Sequence, residues 1–296
     1  MLLNFTLIPF VLGISVNISE YSYFDPEYLY MLNQTKTEYG EIINSTELTS
    51  TIICQPLTDE ELRCYLNDIM VVTSNYTNFN DRITTSNLIE VGQWFHMKFN
   101  DYGIMSTNTE LDAGEMANKY LIVYDIINQF NMGIDRSVQG LHWGSTATES
   151  TSIGFCTTAY KINMSYWKED AKQETSSNFQ IKLFKNFSNQ TDIVLKDLHI
   201  VKNRKDCNYS RIFNDYLNGG KVTKYVHIIE VVDNKLRMVT TLDGQRLDPR
   251  NSLETSTFTQ ITQLNLINIR STKTMTPIDN PSKEFENSFF ERKHFM

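Results

Sequence analysis

Residues 107–132, TNTELDAGEMANKYLIVYDIINQFNM, form the one long stretch of this chain whose apolar positions follow a helical period. Met116, Tyr120, Val123, Tyr124, Ile127 and Phe130 recur at three- and four-residue intervals and so share one helix face. Thr107 with Glu110, or Asp112 with Glu115, is a capping box for its start, and Gly133 is placed to end it. The other patterned segments alternate with period two and are rich in Thr, Tyr, Ile and Val, as strands are. A single long helix in a strand-rich chain needs a surface for its apolar face, and the concave side of a curved sheet supplies one. The predicted class is therefore mainly β: an antiparallel β-barrel or strongly curved sheet of about ten strands around one central amphipathic helix.

With 296 residues the chain has room for one large all-β domain or two small ones. A net charge of −8 opposes a protein whose main partner is the phosphate backbone, so no nucleic acid is expected. Residues 2–14, LLNFTLIPFVLGI, are too short to span a bilayer and have the length of an export signal's apolar region. Gly13 and Ser15 suit a signal peptidase, although no Lys or Arg precedes the run; the alternative is a buried N-terminal strand. The expected organisation is a signal peptide at 1–15, a β-barrel domain at 16–270 and a frayed tail at 271–296. Glycosylation sequons at Asn17, Asn33, Asn44, Asn75, Asn163, Asn186, Asn189 and Asn208 agree with a secreted, extracellular chain. So do four cysteines, an even number suited to two disulfides. Cys54 and Cys64 flank an acidic turn, and a bridge closing that loop stabilises by roughly 3 kcal/mol; free or differently paired thiols are the alternative. No later segment reaches membrane-spanning length.

In residues 21–39, Tyr28, Tyr30 and Leu32 alternate as on a first strand. Residues 81–105 read as a strand and then a hairpin turning at 100–103. Residues 139–152 are polar and aperiodic, hence a loop, and strands resume at 153–166, 179–187, 193–201, 224–232, 235–241 and 255–270. Asp233-Asn234 and Asp243-Gly244 look like tight turns, and residues 208–218 like a short helical turn on the sheet or an irregular connection.

Catalytic chemistry finds little to build on. His96, His142, His199, His227 and His294 are scattered, and no metal-ligand, nucleophile-elbow or phosphate-loop spacing is present. Cys156 has no base nearby in sequence, His227 and Glu230 read as surface groups facing opposite ways, and Asp59, Glu60 and Glu61 read as a solvated turn. No enzyme, metal or cofactor is expected.

Six landmarks stand in an order that resembles the N-terminal β-barrel of vitellogenins, members of the large lipid transfer protein family. EYLYMLNQTKTEYG is similar to the first barrel strand, and GQWFHMKFNDYGIM to its aromatic strand, glycine turn and following strand. In the helix segment LIVYDIINQFN, Ile126, Ile127, Asn128, Phe130 and Asn131 stand at the places of the family's I-L-N-x-L-Q-like pattern. IGFCTTAYKI is similar to the cysteine-bearing strand, and LHIVKNRKDCNYSRIF to the second cysteine segment with its basic cluster and the Arg-Ile that follows. The resemblance covers roughly residues 20–270. It implies a Cys156–Cys207 disulfide and a helix filling the barrel. A vitellogenin continues into a helical domain and lipid-cradling sheets, whereas this chain stops after its barrel, so the bulk lipid cavity is not implied.

What the resemblance does imply is recognition. The family's barrel binds a receptor of the low-density-lipoprotein type, whose acidic modules clamp cations. The matching positions here are Lys202, Arg204 and Lys205, with Arg211 after Cys207, and a glycan at Asn208 would sit beside them. The leading expectation is a secreted, non-catalytic protein binding such a receptor or another acidic module. The others are a small carrier with lipid as partner, a nucleic-acid or pathogen-surface binder, and a storage role as a nutrient reservoir.

Overall fold

The computed structural model describes residues 2–17, 25–76, 82–90, 92–100, 103–109, 117–132, 146–166, 179–183, 195–247 and 254–271. The early strands are β1 (Leu2–Ile8), β2 (Leu12–Asn17), β3 (Pro26–Tyr39), β4 (Ile43–Thr58), β5 (Glu61–Leu66), β6 (Ile69–Tyr76), β7 (Arg82–Ile89), β8 (Gln93–Asn100) and β9 (Gly103–Thr109). Helix α1 (Ala117–Phe130) separates these from β10 (Thr146–Thr151), β11 (Gly154–Tyr166), β12 (Phe179–Leu183) and β13 (Leu195–Tyr209). Helix α2 (Arg211–Leu217) precedes β14 (Lys221–Val232), β15 (Lys235–Leu247) and β16 (Thr255–Ser271).

All ladders among the described residues are antiparallel, and 13 strands form one sheet in the order β10-β11-β13-β14-β15-β16-β3-β4-β5-β8-β9. A branch leaves this path at β4, whose first half pairs with β6 and whose second half pairs with β5. Ser50 marks the fork, its Oγ lying 3.1 Å from the carbonyl oxygens of both Asn67 and Asp68. β6 then carries β7 as its outer neighbour. A smaller sheet, β1-β2-β12, stands apart.

The curvature follows from what α1 touches. Its polar side chains reach β3 and β16 through Asp125, β14 through Asn128 and β15 through Gln129, while Phe130 meets Tyr30 of β3 edge-on at 5.4 Å. Asn131 then spans the two ends of the strand order. Its Oδ1 accepts from the Ile104 amide of β9 at 3.3 Å, and its Nδ2 donates to the Ser150 carbonyl of β10 at 3.1 Å. Laid flat at the usual strand spacing, β9 and β10 would be roughly 50 Å apart. One side chain can bridge them only because the sheet rolls around the helix. The seam carries no β9–β10 ladder among the described residues, so the sheet is strongly curved and clasped by a side chain rather than closed by the backbone.

Alternation sets the concave face. Tyr28, Tyr30 and Leu32 of β3, Ile52 and Cys54 of β4, Phe95, Met97 and Phe99 of β8, and Leu198 and Ile200 of β13 are buried in phase. Val123, Ile126, Ile127 and Phe130 of α1 join the same core. The β1–β2 hairpin shares it: Leu7, Ile8, Leu12 and Ile14 are buried there, and the Tyr28 hydroxyl donates to the Thr6 carbonyl at 2.5 Å. Residues 6–14 of the run read as a leader's apolar region therefore lie largely in the interior, within the β1–β2 hairpin. Asn234, in the left-handed conformation at the β14–β15 turn, holds β12 by accepting from the Ile181 amide and donating to the Phe179 carbonyl.

Several local expectations change. Residues 146–151, expected within a loop, form edge strand β10, whose Thr- and Ser-rich sequence suits a strand but hides no apolar alternation. Asp243-Gly244 is no turn: β15 runs on to Leu247, and Gly244 is needed because the Phe258 ring passes where a Cβ would stand, at 2.5 Å. Thr107 ends up buried in β9, so the Thr107 start is lost; Glu110, Asp112, Glu115 and Gly133 lie outside the described residues, as does the expected tail at 271–296 apart from Ser271, which ends β16. From Ile126 to Met132 every residue of the helix end is buried, polar ones included, so this half of α1 is enclosed rather than amphipathic. The strands among the described residues number 16, against about ten expected; the N-terminal hairpin, β6 and β10 are among those added.

Asn131→Ala removes both hydrogen bonds of the seam and leaves the Ile104 amide and Ser150 carbonyl unanswered. Chemical denaturation should show a loss of about 1–3 kcal/mol, and hydrogen exchange should rise first in β9 and β10.

Candidate functional site

At one end of the curved sheet the inward phase of β13 carries charge. Leu198 and Ile200 are followed on the same face by Lys202 and Arg204, and the neighbouring β14 presents Tyr225 and His227 in phase with Ile229 and Val231. β10 supplies Glu149 and β11 supplies Thr158 and Tyr160. All of these side chains lie in the interior, where an isolated charge is disfavoured by several kcal/mol.

The network answers that penalty with close pairing. Lys202 Nζ is 2.6 Å from Glu149 Oε1, and Arg204 Nε is 3.1 Å from Glu149 Oε2. Thr158 donates to Oε2 at 2.9 Å and the Tyr160 hydroxyl to Oε1, so the carboxylate accepts from four donors. Lys202 also donates to the carbonyls of Asn131 at 2.6 Å and Met132 at 3.2 Å. Those carbonyls lie one and two residues past Phe130, at the negative end of α1, whose own last turn has no basic residue. The wall of the sheet thus provides the cation that a helix usually carries itself. The Arg204 guanidinium stacks on Tyr225 with its central carbon 4.7 Å from the ring centre, while its two Nη atoms are buried with no hydrogen-bond partner. His227 Nδ1 lies 2.9 Å from the Thr240 hydroxyl, which also exchanges hydrogen bonds with Gln129.

Burial opposes ionisation of Glu149, but Lys202 and Arg204 outweigh it and hold the carboxyl below its usual 4.5. Burial lowers Lys202 to about 8 despite Glu149, which leaves it charged at neutral pH. Burial, with the positive charges of Lys202 and Arg204, drives His227 well below 6.5, so it is neutral there. Lys202 has all three protons engaged and Glu149 is saturated. Chemically the arrangement is a lock, tying β10, β11 and β13 to the end of α1.

Half of the expected receptor-facing cluster lies within this lock. Lys202 and Arg204 point inward, while Lys205 and Arg211 are exposed, the first on β13 and the second opening α2. An outside partner meets only the latter two of the four. A signal for this was present in the alternation L-H-I-V-K-N-R, which keeps positions 198, 200, 202 and 204 on one face. Reading the strand as ending at 201 hid it. His227 and Glu230 do face opposite ways, but His227 is interior while Glu230 pairs outside with His199 at 3.4 Å and Arg237 at 3.5 Å.

Both expected disulfides form: Cys54–Cys64 joins directly opposed residues of β4 and β5, and Cys156–Cys207 joins β11 to β13. Asn44, Asn75, Asn163 and Asn208 are exposed; Asn33 is half-buried mid-sheet. Asn17 ends β2 but its side chain, with Asn186, Asn189, His142 and His294, lies outside what is described. Glu61 takes Lys98 at 3.4 Å and His96 at 3.7 Å, and among the described residues no cluster of His, Cys, Asp and Glu is arranged to hold a metal ion.

No protein-family model and no curated protein matches the chain. Its fold is similar to a solved structure of lipovitellin, described for its lipid–protein interactions, with a TM-score of 0.56 and 10% sequence identity. The match covers 86% of this chain and 26% of that one, so the chain spans about a quarter of the lipovitellin polypeptide. At this identity the likeness is one of fold: a distant vitellogenin-like architecture.

Glu149→Gln leaves Lys202 and Arg204 buried against a neutral amide and should cost roughly 3–5 kcal/mol in chemical denaturation. Glu149→Gln with Lys202→Met should lose less than Glu149→Gln alone, because the second change removes a stranded charge. The acid limb of stability should have two stages. The folded state depresses both groups, so the unfolded chain binds protons first: stability falls as pH drops below 6.5 through His227, and again below 4.5 as Glu149 is forced to protonate. His227→Gln should shrink the first stage in a thermal-melt series to the share left by His96, which burial also lowers, and leave the second unchanged.

Proposed function

We propose that this chain is a secreted, vitellogenin-like recognition module that works through its outer surface. The observation carrying this reading is that α1 and the β1–β2 hairpin fill the concave side with their own residues. Two disulfides support an oxidising, extracellular compartment, and the lipovitellin likeness supports a place in the lipid-transport lineage. Lys205 and Arg211, exposed near the Cys156–Cys207 bridge, are suited to an acidic, cation-clamping receptor module.

A second reading, a lipid carrier, is favoured by one observation. Removing the leader-like residues 1–15 would take β1 and most of β2 out of the core, leaving Tyr28 and Ile181 facing an apolar space.

Binding to an immobilised acidic, calcium-holding receptor module separates the two. Lys205→Ala with Arg211→Ala should weaken it by about tenfold and flatten its salt dependence without shifting the melting temperature. Unchanged affinity in that variant rejects the receptor surface. Native mass spectrometry of the chain lacking residues 1–15 tests the carrier, which requires stoichiometric lipid there and none in the full chain.

A further inference from the structure

Asn131, just past the end of α1, bridges the seam between β9 and β10, and among the described residues no backbone ladder crosses it. Asn131 stays there because the helix end is anchored. Lys202 takes the carbonyls of Asn131 and Met132, Gln129 bonds Thr240, and Asn128 bonds Tyr225. All three partners border one side chain, His227: Lys202 and Thr240 stand opposite it on β13 and β15, and Tyr225 precedes it on the inward face of β14. His227 is fully buried, and its Nε2 has no hydrogen-bond partner among the described residues. Facing it are the cations Lys202 and Arg204 from β13, the Thr240 hydroxyl from β15 and the Gln129 carbonyl from α1. Glu149 from β10, the carboxylate of the cluster, is already saturated by Lys202, Arg204, Thr158 and Tyr160. A proton on His227 would set three cations against that one carboxylate, and both ring nitrogens would then need acceptors, of which Nε2 has none.

We propose that His227 is an acid-sensitive latch: its uptake of a proton releases the C-terminal end of α1 and parts the sheet at the β9–β10 seam. The latch is independent of the receptor and carrier readings, and it localises the first acid stage of stability to one end of one helix. Release is local because the rest is held otherwise. Cys156–Cys207 keeps β11 on β13, and continuous ladders run from β13 through β14, β15, β16 and β3 to β4. Farther up α1, Asp125 keeps its bonds from Gln34 and Gln260. In the closed form burial and the two cations hold His227 well below 6.5, outweighing the Gln129 carbonyl, whereas a solvated histidine titrates at about 6.5. Below 6.5 the parted form therefore takes a proton that the closed form refuses, and its population rises by about tenfold per pH unit. Lys202, at about 8, and Arg204 stay charged in both forms from pH 7 to 5.5 and add no slope. Asp125, raised by burial, takes its proton more readily in the closed form, so it opposes parting.

Hydrogen exchange of the full chain, read by mass spectrometry from pH 7 to 5.5 with each rate divided by the intrinsic rate at that pH, tests this directly. Protection in β9, β10 and the end of α1 should fall by about tenfold per pH unit below 6.5, while the β3–β16 ladder holds. His227→Gln keeps a neutral partner for Thr240 and should make seam protection flat across this range. His96→Gln removes the other histidine lowered by burial, which stands outside the cluster beside Glu61, Arg63 and Lys98, and should leave the slope intact. The wild type decides even where His227→Gln fails to fold: seam protection that is flat with pH, or that falls in step with β3–β16, overturns the latch. So does a slope that survives in folded His227→Gln, or one that His96→Gln abolishes.

Discussion

The fold depends on a positive charge meeting the negative end of a helix inside a protein. Lys202, from the wall of the sheet, donates to the two carbonyls just past the end of α1 and to Glu149. Without Lys202 the helix end would have unanswered carbonyls in the interior; without Glu149 two cations would lack a counter-ion. Burying ions rarely adds net stability over an apolar core of the same shape. What this network supplies is position. It admits one depth and one rotation of α1, because only then do Asn131 and Met132 present their carbonyls to Lys202.

Once α1 is held, the curvature of the sheet is determined from the inside. Asp125, Asn128, Gln129 and Asn131 leave the helix in different directions and each meets a different strand. A twisted sheet of this many strands curls of its own accord, but its radius is open. Here it is set by how far a helix side chain reaches. The seam at β9 and β10 shows the consequence: a side chain closes what the ladder does not. The interior also divides along its length. Apolar residues of the β1–β2 hairpin fill one part and the charged cluster with α1 the other, with Tyr28 and Tyr30 lying between.

Much of this was legible in the chain. Period two identified β3, β8, β11, β14 and β16, and three- and four-residue spacing identified α1, because burial of one face writes itself into the sequence. Cysteine parity pointed to two bridges, and the opposed positions of Cys54 and Cys64 follow from a short hairpin. The cluster was half legible. The phase of Leu198, Ile200, Lys202 and Arg204 was readable, but a charge in an inward position looks like the end of a strand until its counter-ion is known. Glu149 lies 53 positions earlier, in a stretch without apolar alternation.

The sequence by itself determined the type of α1 and of most strands, since local alternation and spacing are properties of neighbours along the chain. Tertiary structure decided which charges are inside, why Gly244 is a glycine, and that Leu7, Ile8, Leu12 and Ile14 join the core. Those facts belong to pairs such as Lys202 with Glu149, Gly244 with Phe258 and Thr6 with Tyr28, whose partners meet only when distant strands roll around one helix. No local pattern encodes such a meeting, because the free energy that selects it resides in the contact itself.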